Sequence, residues 1–342
     1  MAIESREELM SKYAGKGLPS FRIKQINTAL FDRAITSWAD ITTLPKDLRV
    51  LLEIQVPFAS FICVALLQSN DKTTKKALLQ ASDGAEIETV LMKNSRGHWS
   101  ICVSCQVGCA MNCSFCATGK MGLTRNLIAD EIIDQYRFWN ANIGKDEIIT
   151  NIVFMGMGEP MANYVEVKKS LQALLKYTEI GITKIVVSTV GVLPRLNILL
   201  DDMDWPPVRL AVSLHSVDQE GRLSFMPTTT PTFLADLKTW AKAYLEKFGN
   251  RNHHLTFEYL LMKGVNDSLT DAKKLAKYVK SIGRVKVNVM AYNNTGVFDA
   301  PSADRVDEFC EILRSSDVDV TRRRSMGSDI YAACGQLANT KK

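Results

Sequence analysis

Apolar residues recur at helical spacing in Glu7 to Tyr13, Phe21 to Phe31 and Lys46 to Ile54, so residues 1 to about 68 are expected to be helical. From Ala77 to Met92 the pattern shortens to two apolar runs, Leu78–Gln80 and Ile87–Met92. They flank Asp83 and Gly84, which predicts a small hairpin. From about residue 100 strands and amphipathic helices alternate. Expected strands are Ser100–Ser104, Ile149–Met155, Lys184–Thr189, Val208–Leu214, Leu255–Leu261 and Val285–Ala291. Expected helices are Ala129–Asn142, Val165–Tyr177, Pro231–Lys247, Asp271–Ile282 and Ala303–Ser315.

Strands rich in Val and Ile, each followed by a helix, imply a parallel sheet covered on its outer face. The fold class is therefore α/β, a partial (β/α)6 TIM-like barrel. No G-x-G-x-x-G follows the first strand, which argues against an open Rossmann sheet. Three units are expected: a helical accessory domain over 1–68, a β-rich extension over 69–94, and the barrel core over 95–342.

Composition changes this picture in one respect. The chain has 342 residues, a net charge of +5 and a pI near 8.7, which permits a polyanionic partner without demanding one. The start lacks an apolar leader, and Phe58 to Leu67 is too short to span a bilayer, so a cytoplasmic location without a membrane partner is expected. In a reducing compartment eight cysteines do not read as a disulfide framework. Five of them fall between Cys102 and Cys116, and that clustering points to metal or redox chemistry.

The run Cys109-Ala-Met-Asn-Cys113-Ser-Phe-Cys116 follows the first core strand, on the face where β/α barrels place their chemistry. Three thiolates are one short of a closed zinc site or a saturated cubane cluster, so one metal position stays open for a substrate or cofactor. Competing readings are three structural cysteines, or a zinc site borrowing Cys102, Cys105 or a histidine. Cys63 and Cys310 lie in apolar patterns read as helical and are expected in the core. His98, His253 and His254 are expected at the surface or in packing.

The C-x3-C-x2-C spacing resembles that of radical S-adenosylmethionine enzymes. Further words narrow the resemblance: Ile101-Cys-Val-Ser-Cys-Gln-Val-Gly-Cys109, Phe115-Cys-Ala-Thr-Gly119, Phe154-Met-Gly-Met-Gly-Glu-Pro160, Ser213-Leu-His-Ser216, Gly264-Val-Asn-Asp267 and Ala332-Ala-Cys-Gly-Gln336. In this order they are similar to the RlmN/Cfr family of RNA methyltransferases, over nearly the whole chain. The resemblance implies one 4Fe-4S cluster on Cys109, Cys113 and Cys116, and two S-adenosylmethionine molecules per turnover. It implies cofactor contacts at Gly158, Glu159, Ser188, Ser213, Leu214, His215 and Asn293, with Gly156, Met155 and Met157 beside them.

The same resemblance implies the catalytic residues. Cys334 accepts a methyl group, a radical made from the second S-adenosylmethionine activates it, and the carbon adds to an adenine ring. Cys102 then attacks the Cys334 sulfur by thiol–disulfide exchange, and Glu88 removes the ring proton as general base. Expected partners are 23S rRNA, with tRNA as a second candidate, an external electron donor and a disulfide reductant; a monomer is expected. Basic residues Arg22, Lys24 and Lys46 are candidate RNA contacts. Arg322-Arg323-Arg324 is read first as a solvated edge and second as a phosphate contact. The proline of Gly158-Glu159-Pro160 and the valine of Gln106-Val-Gly-Cys109 are similar to members that methylate carbon 2 rather than carbon 8. Cys105 stands where the family usually has serine, Tyr331 where it has aspartate, and the usual proline after Asn293 is missing. Cys105 is read as a bystander, the alternative being a redox pair with Cys102. A carbon-8 enzyme, a radical enzyme of another class and a zinc-stabilised RNA-binding protein are the other readings.

Overall fold

A computed structural model describes residues 3–14, 18–94, 96–250 and 255–338. The chain opens with three helices, α1 (Arg6–Tyr13), α2 (Ser20–Leu30) and α3 (Lys46–Gln55). Ser5 and Glu8 form a capping box that starts α1. The helices enclose a small core of Met10, Ile26, Leu30, Trp38, Ile41, Leu44, Leu52 and Val56. The Trp38 indole donates to the Val56 carbonyl at 2.6 Å, so this core buries its polar edge with a partner.

Helical character stops short of residue 68. Residues 61–68 form strand β1 (Phe61–Gln68), followed by β2 (Thr74–Ala81), β3 (Glu86–Lys93) and β4 (Trp99–Cys102). A short unbroken apolar run fits a strand as well as a helix, and pairing with β2 decides it. Because β1 is an edge strand, Cys63 is exposed rather than in the core. The expected hairpin is present as β2 and β3, with Gly84 at φ +82° in its turn.

A second ribbon follows that the periodicity did not announce: β5 (Gln106–Cys109) and β6 (Gly122–Asn126), antiparallel, with the short α4 (Ala117–Lys120) between them. Then come α5 (Ala129–Ala141), β7 (Ile149–Phe154), α6 (Tyr164–Tyr177), β8 (Ile185–Thr189), α7 (Leu193–Asp201), β9 (Arg209–Ser213), α8 (Gln219–Phe225), α9 (Phe233–Phe248), β10 (Leu255–Leu261), α10 (Leu269–Lys280), β11 (Val285–Ala291), α11 (Ala303–Ser315) and β12 (Asp319–Arg322).

Ten strands form one sheet in the order β1-β2-β3-β4-β7-β8-β9-β10-β11-β12, antiparallel as far as β4 and parallel from there on. The main sheet never departs from chain order, so it has no switch point of the kind that defines a doubly wound sheet. It is a partial β/α barrel, extended at one edge by the β1–β3 meander and at the other by β12. The expected (β/α)6 core corresponds to β4 and β7–β11. Cys310 is buried on α11 and His98 is exposed, as expected, whereas His253 and His254 lie outside the described residues. Among the described residues no helix is long and apolar enough to cross a membrane.

Charged groups fasten the helical segment to the core. Arg6 pairs with Asp134 and Asp130 of α5, and the Ser60 amide donates to Asp134 at 2.6 Å. Burial alone would raise the Asp134 pKa, but Arg6 and Arg137 overcome it and hold the carboxylate down at about 2.

Candidate active site

Cys109 is the last residue of β5, and Cys113 and Cys116 sit in the loop that leaves it. The ribbon can be this tight only because of Gly108, at φ +77°: a Cβ there would lie 1.9 Å from the Gly122 carbonyl oxygen. The Cys116 amide donates to the Cys113 carbonyl at 3.0 Å, which turns the loop, and the Ser114 amide donates to Phe225 at 3.0 Å. All three cysteines face one cleft at the C-terminal ends of the parallel strands. Burial pushes the Cys109 thiol up to about 11 and raises Cys113 and Cys116 as well.

The donor set is three thiols, the ligand count of a cubane cluster with one iron left open. Among the described residues no three His, Cys, Asp or Glu side chains converge as the ligands of one metal would. A tetrahedral zinc about 2.3 Å from each sulfur needs sulfurs about 4 Å apart, whereas a cubane takes each thiolate on a separate iron and accepts wider spacing.

The opposite wall comes from strand ends. Gly156, Gly158 and Glu159 follow β7, Ser188 lies on β8, Ser213 ends β9 and His215 follows it; all line the cleft. Gly158 has φ +100°, and a Cβ there would stand 2.5 Å from the Gln106 Cβ. Glu159 is buried, and its carboxylate accepts the Met161 and Val190 amides at 2.9 and 2.8 Å. Burial pushes its pKa up to about 7 against those hydrogen bonds. His215 accepts the Leu260 amide at Nδ1 (3.0 Å) and meets Phe115 edge-on. Burial, with Arg222 nearby, pulls His215 down to about 3, so it is neutral at pH 7.

Cys334 closes the cleft. Its loop is stitched to the cysteine loop, the Ala117 amide donating to Gly335 at 2.7 Å and the Thr118 hydroxyl to Leu337 at 2.6 Å. Asn293 donates to the Cys334 carbonyl at 3.0 Å. A second, smaller cleft adjoins the first, lined by Cys102, Cys334, Met155, Met290 and Arg323. Burial pushes the Cys102 thiol up to about 12, the neighbouring Cys334 adds to this, and Arg323 opposes it. Glu88 on β3 is fully buried. It pairs with Lys76 at 2.8 Å and accepts the Ala338 amide at 2.9 Å.

Comparison with known proteins settles the family. The sequence model of the radical SAM superfamily matches residues 103–276. A probable dual-specificity RNA methyltransferase RlmN of Salinibacter ruber is 40% identical over 98% of this chain and 92% of its own length. A ribosomal RNA large subunit methyltransferase N of Nitrosopumilus maritimus is 39% identical over 97% and 96%. The crystal structure of a radical SAM methyltransferase from Sphaerobacter thermophilus superimposes with a TM-score of 0.87 at 37% identity, covering 98% of each chain. The chain belongs to the RlmN/Cfr family.

RlmN/Cfr membership makes this chain a radical SAM methyltransferase, with a 4Fe-4S cluster and S-adenosylmethionine as its cofactors. The structure gathers Cys109, Cys113, Cys116, Gly158, Glu159, Ser188, Ser213, His215 and Cys334 around the main cleft, with Cys102 in the adjoining one. Four expected site residues lie elsewhere. Leu214 and Met157 are fully buried and contribute main-chain contacts, because the chain turns inward at each. Asn293 braces the Cys334 loop instead of lining the main cleft. Glu88 lines neither cleft; it is covered by the segment that follows Cys334 and paired with Lys76.

Two arginines were missed as site residues. Arg323 is not a solvated edge: it lines both clefts and pairs with Glu258 of β10 at 3.1 Å. Arg222 of α8 is buried and donates to the carbonyls of Val190, Ser213 and Leu214 at 2.7, 3.0 and 3.0 Å. It thereby ties together the two strand ends that present Ser188, Ser213 and His215. Cys105 is buried, its carbonyl held by Asn163, and it lines neither cleft.

Proposed function

We propose that this enzyme methylates carbon 2 of an adenosine in 23S rRNA, with tRNA as a second substrate, through a methyl group carried on Cys334. The observation that carries the reading is the position of Cys334 on the border of two clefts, one holding the three cysteines and the other Cys102. A sulfur on that border can receive a group on one side and be attacked on the other. The names of the relatives add RNA as the substrate class.

Cys109, Cys113 and Cys116 would hold the 4Fe-4S cluster, which would supply the electron for cleavage of one S-adenosylmethionine, and a second S-adenosylmethionine would supply the methyl group. Glu159, Ser188 and Ser213 bind and orient the cofactor, and neutral His215 packs against Phe115 without adding charge. The Cys334 S-methyl would give up one hydrogen atom to the cleaved cofactor, and its carbon would bond to the adenine ring, the adduct then returning one electron to the cluster. The Cys102 thiolate attacks the Cys334 sulfur, breaking its bond to the product carbon, which takes up a proton to complete the methyl group, and forming a Cys102–Cys334 disulfide. Arg323, which lines the second cleft with both cysteines, favours the anionic form of Cys102 against its burial. Glu88 takes the ring proton, and an external reductant returns both thiols. Exposed Arg324, Lys24 and Lys46 supply phosphate contacts.

Nucleoside mass spectrometry of 23S rRNA and tRNA after reaction tests the reading, with 2-methyladenosine expected. 8-Methyladenosine would move the enzyme to the carbon-8 group, and unmodified Cys334 in an active enzyme would sink the carrier mechanism.

A further inference from the structure

The β1–β3 meander has no role in the reading above beyond supplying Glu88, yet it touches the carrier segment at four places. The Asn70 amide, in the β1–β2 turn, donates to Asp329 at 2.8 Å. Thr74 packs so closely under Gly327 that a Cβ there would lie 2.6 Å from its methyl carbon. Lys76 donates to the Tyr331 carbonyl at 3.3 Å. Glu88, opposite Leu78 in the hairpin, accepts the Ala338 amide at 2.9 Å.

The last two contacts are joined, because Lys76 Nζ and Glu88 Oε1 are 2.8 Å apart. One buried ion pair therefore holds both ends of the loop that carries Cys334: the lysine at Tyr331 and the glutamate at Ala338. Both side chains are nearly or wholly shielded from solvent. A buried charge pair with two further hydrogen bonds is rigid, and removing one partner strands the other. Tyr331 itself sits in the left-handed region at φ +52°, an uncommon conformation for an aromatic residue that needs outside support.

We propose that Lys76 is a positioning residue whose pairing with Glu88 latches the carrier loop, so that the loop which brings Cys334 to the site also keeps Glu88 covered. Loop and base are then coupled: substrate reaches the carboxylate only when the segment 331–338 lifts from the hairpin. The base role of Glu88 rests on the function proposed above; the latch does not, because it is a property of the folded chain without substrate.

Hydrogen–deuterium exchange of the full-length protein without RNA tests the latch directly. In Lys76→Met, peptides spanning 331–338 should exchange at least about tenfold faster than in the parent, while those from β10 and β11 remain unchanged. Lys76→Arg, which restores a cation, should return the loop to parental exchange. Unchanged loop exchange in a folded Lys76→Met protein overturns the proposal. If that variant does not fold, Glu88→Gln replaces it, retaining an acceptor for Ala338 but losing the charge. Faster exchange at the Tyr331 end than at the Ala338 end then supports the latch, and equal parental protection at both ends overturns it. A methylation assay separates the latch from the function: a loosened loop without any RNA methylation by the parent enzyme leaves the latch standing and removes the proposed substrate.

Discussion

Replacing Arg222 with methionine isolates the contribution of one buried guanidinium to the cofactor wall. Its fork donates to three main-chain carbonyls at 2.7–3.0 Å and to the Thr229 hydroxyl, and its face lies 3.6 Å from the Phe233 ring centroid. Burial pulls its pKa down to about 9, so it remains charged at neutral pH. Methionine keeps the length and apolar bulk but removes all four donors. Hydrogen bonds from a charged donor contribute about 1.5 kcal/mol each, a gross loss of about 6 kcal/mol. Relief from burying a charge that is answered by neutral carbonyls and a hydroxyl offsets part of this, leaving a net loss of about 3 kcal/mol. An unfolding entropy of about 2.1 cal/mol/K per residue over this chain converts that into a Tm drop of about 4 °C. Differential scanning calorimetry of the purified variant reads the shift. Lysine offers at most three donors without the fork and should fall between parent and methionine. The cofactor wall should loosen too, raising the Kd for S-adenosylmethionine by about tenfold, since Val190 and Ser213 lose their shared anchor. A methionine variant with parental Tm and parental cofactor affinity would refute the assignment of Arg222 as the tie between β8 and β9.

Gly158→Ala should be damaging despite its size. The added carbon would meet the side chain of Gln106, whose Oε1 receives the Glu159 amide at 2.8 Å, in a conformation alanine resists. A loss of about 2 kcal/mol and weaker cofactor binding are expected, read by thermal unfolding and by equilibrium binding to the cluster-loaded protein. Asp134→Asn tests the fastening of the helical segment. Because the folded carboxyl titrates below its ordinary value of 3.8, near 2, its contribution is full above about pH 4 and is lost as pH falls through about 2. That contribution is about 2 kcal/mol. Urea unfolding from pH 6 down to pH 2 should therefore show a steeper loss in the parent than in the asparagine variant.

What could be read from the residues alone divides along a physical line. The Val- and Ile-rich strands and their helices were recognisable because burial on both faces forces long apolar runs. The residues that line the main cleft were recognisable because they sit in short words with unusual spacing. Strand β1 was misread because an edge strand with one open face leaves Ile62, Val64 and Leu66 exposed, giving a run without polar alternation. The β5–β6 ribbon escaped because strands of four and five residues carry too little pattern, and its fit depends on Gly108 meeting Gly122 across the pair. The cysteine triplet therefore begins on a ribbon of its own rather than directly after the first barrel strand.

Arg222, Arg323 and Lys76 form the third class, and their case is the more general one. Each acts on partners remote in sequence: Arg222 on carbonyls up to 32 residues away, Arg323 on Glu258, and Lys76 on Tyr331. A main-chain carbonyl is the same in every residue, so an acceptor built from backbone leaves no trace in residue types. The donor leaves only a charged residue amid apolar neighbours, a pattern shared with countless surface positions. What distinguishes such a residue is burial, since a charge withdrawn from water must be answered by partners in the fold. Once burial is known, the partner set narrows the role: carbonyls at two strand ends mark a wall, and the two ends of one loop mark the proposed latch.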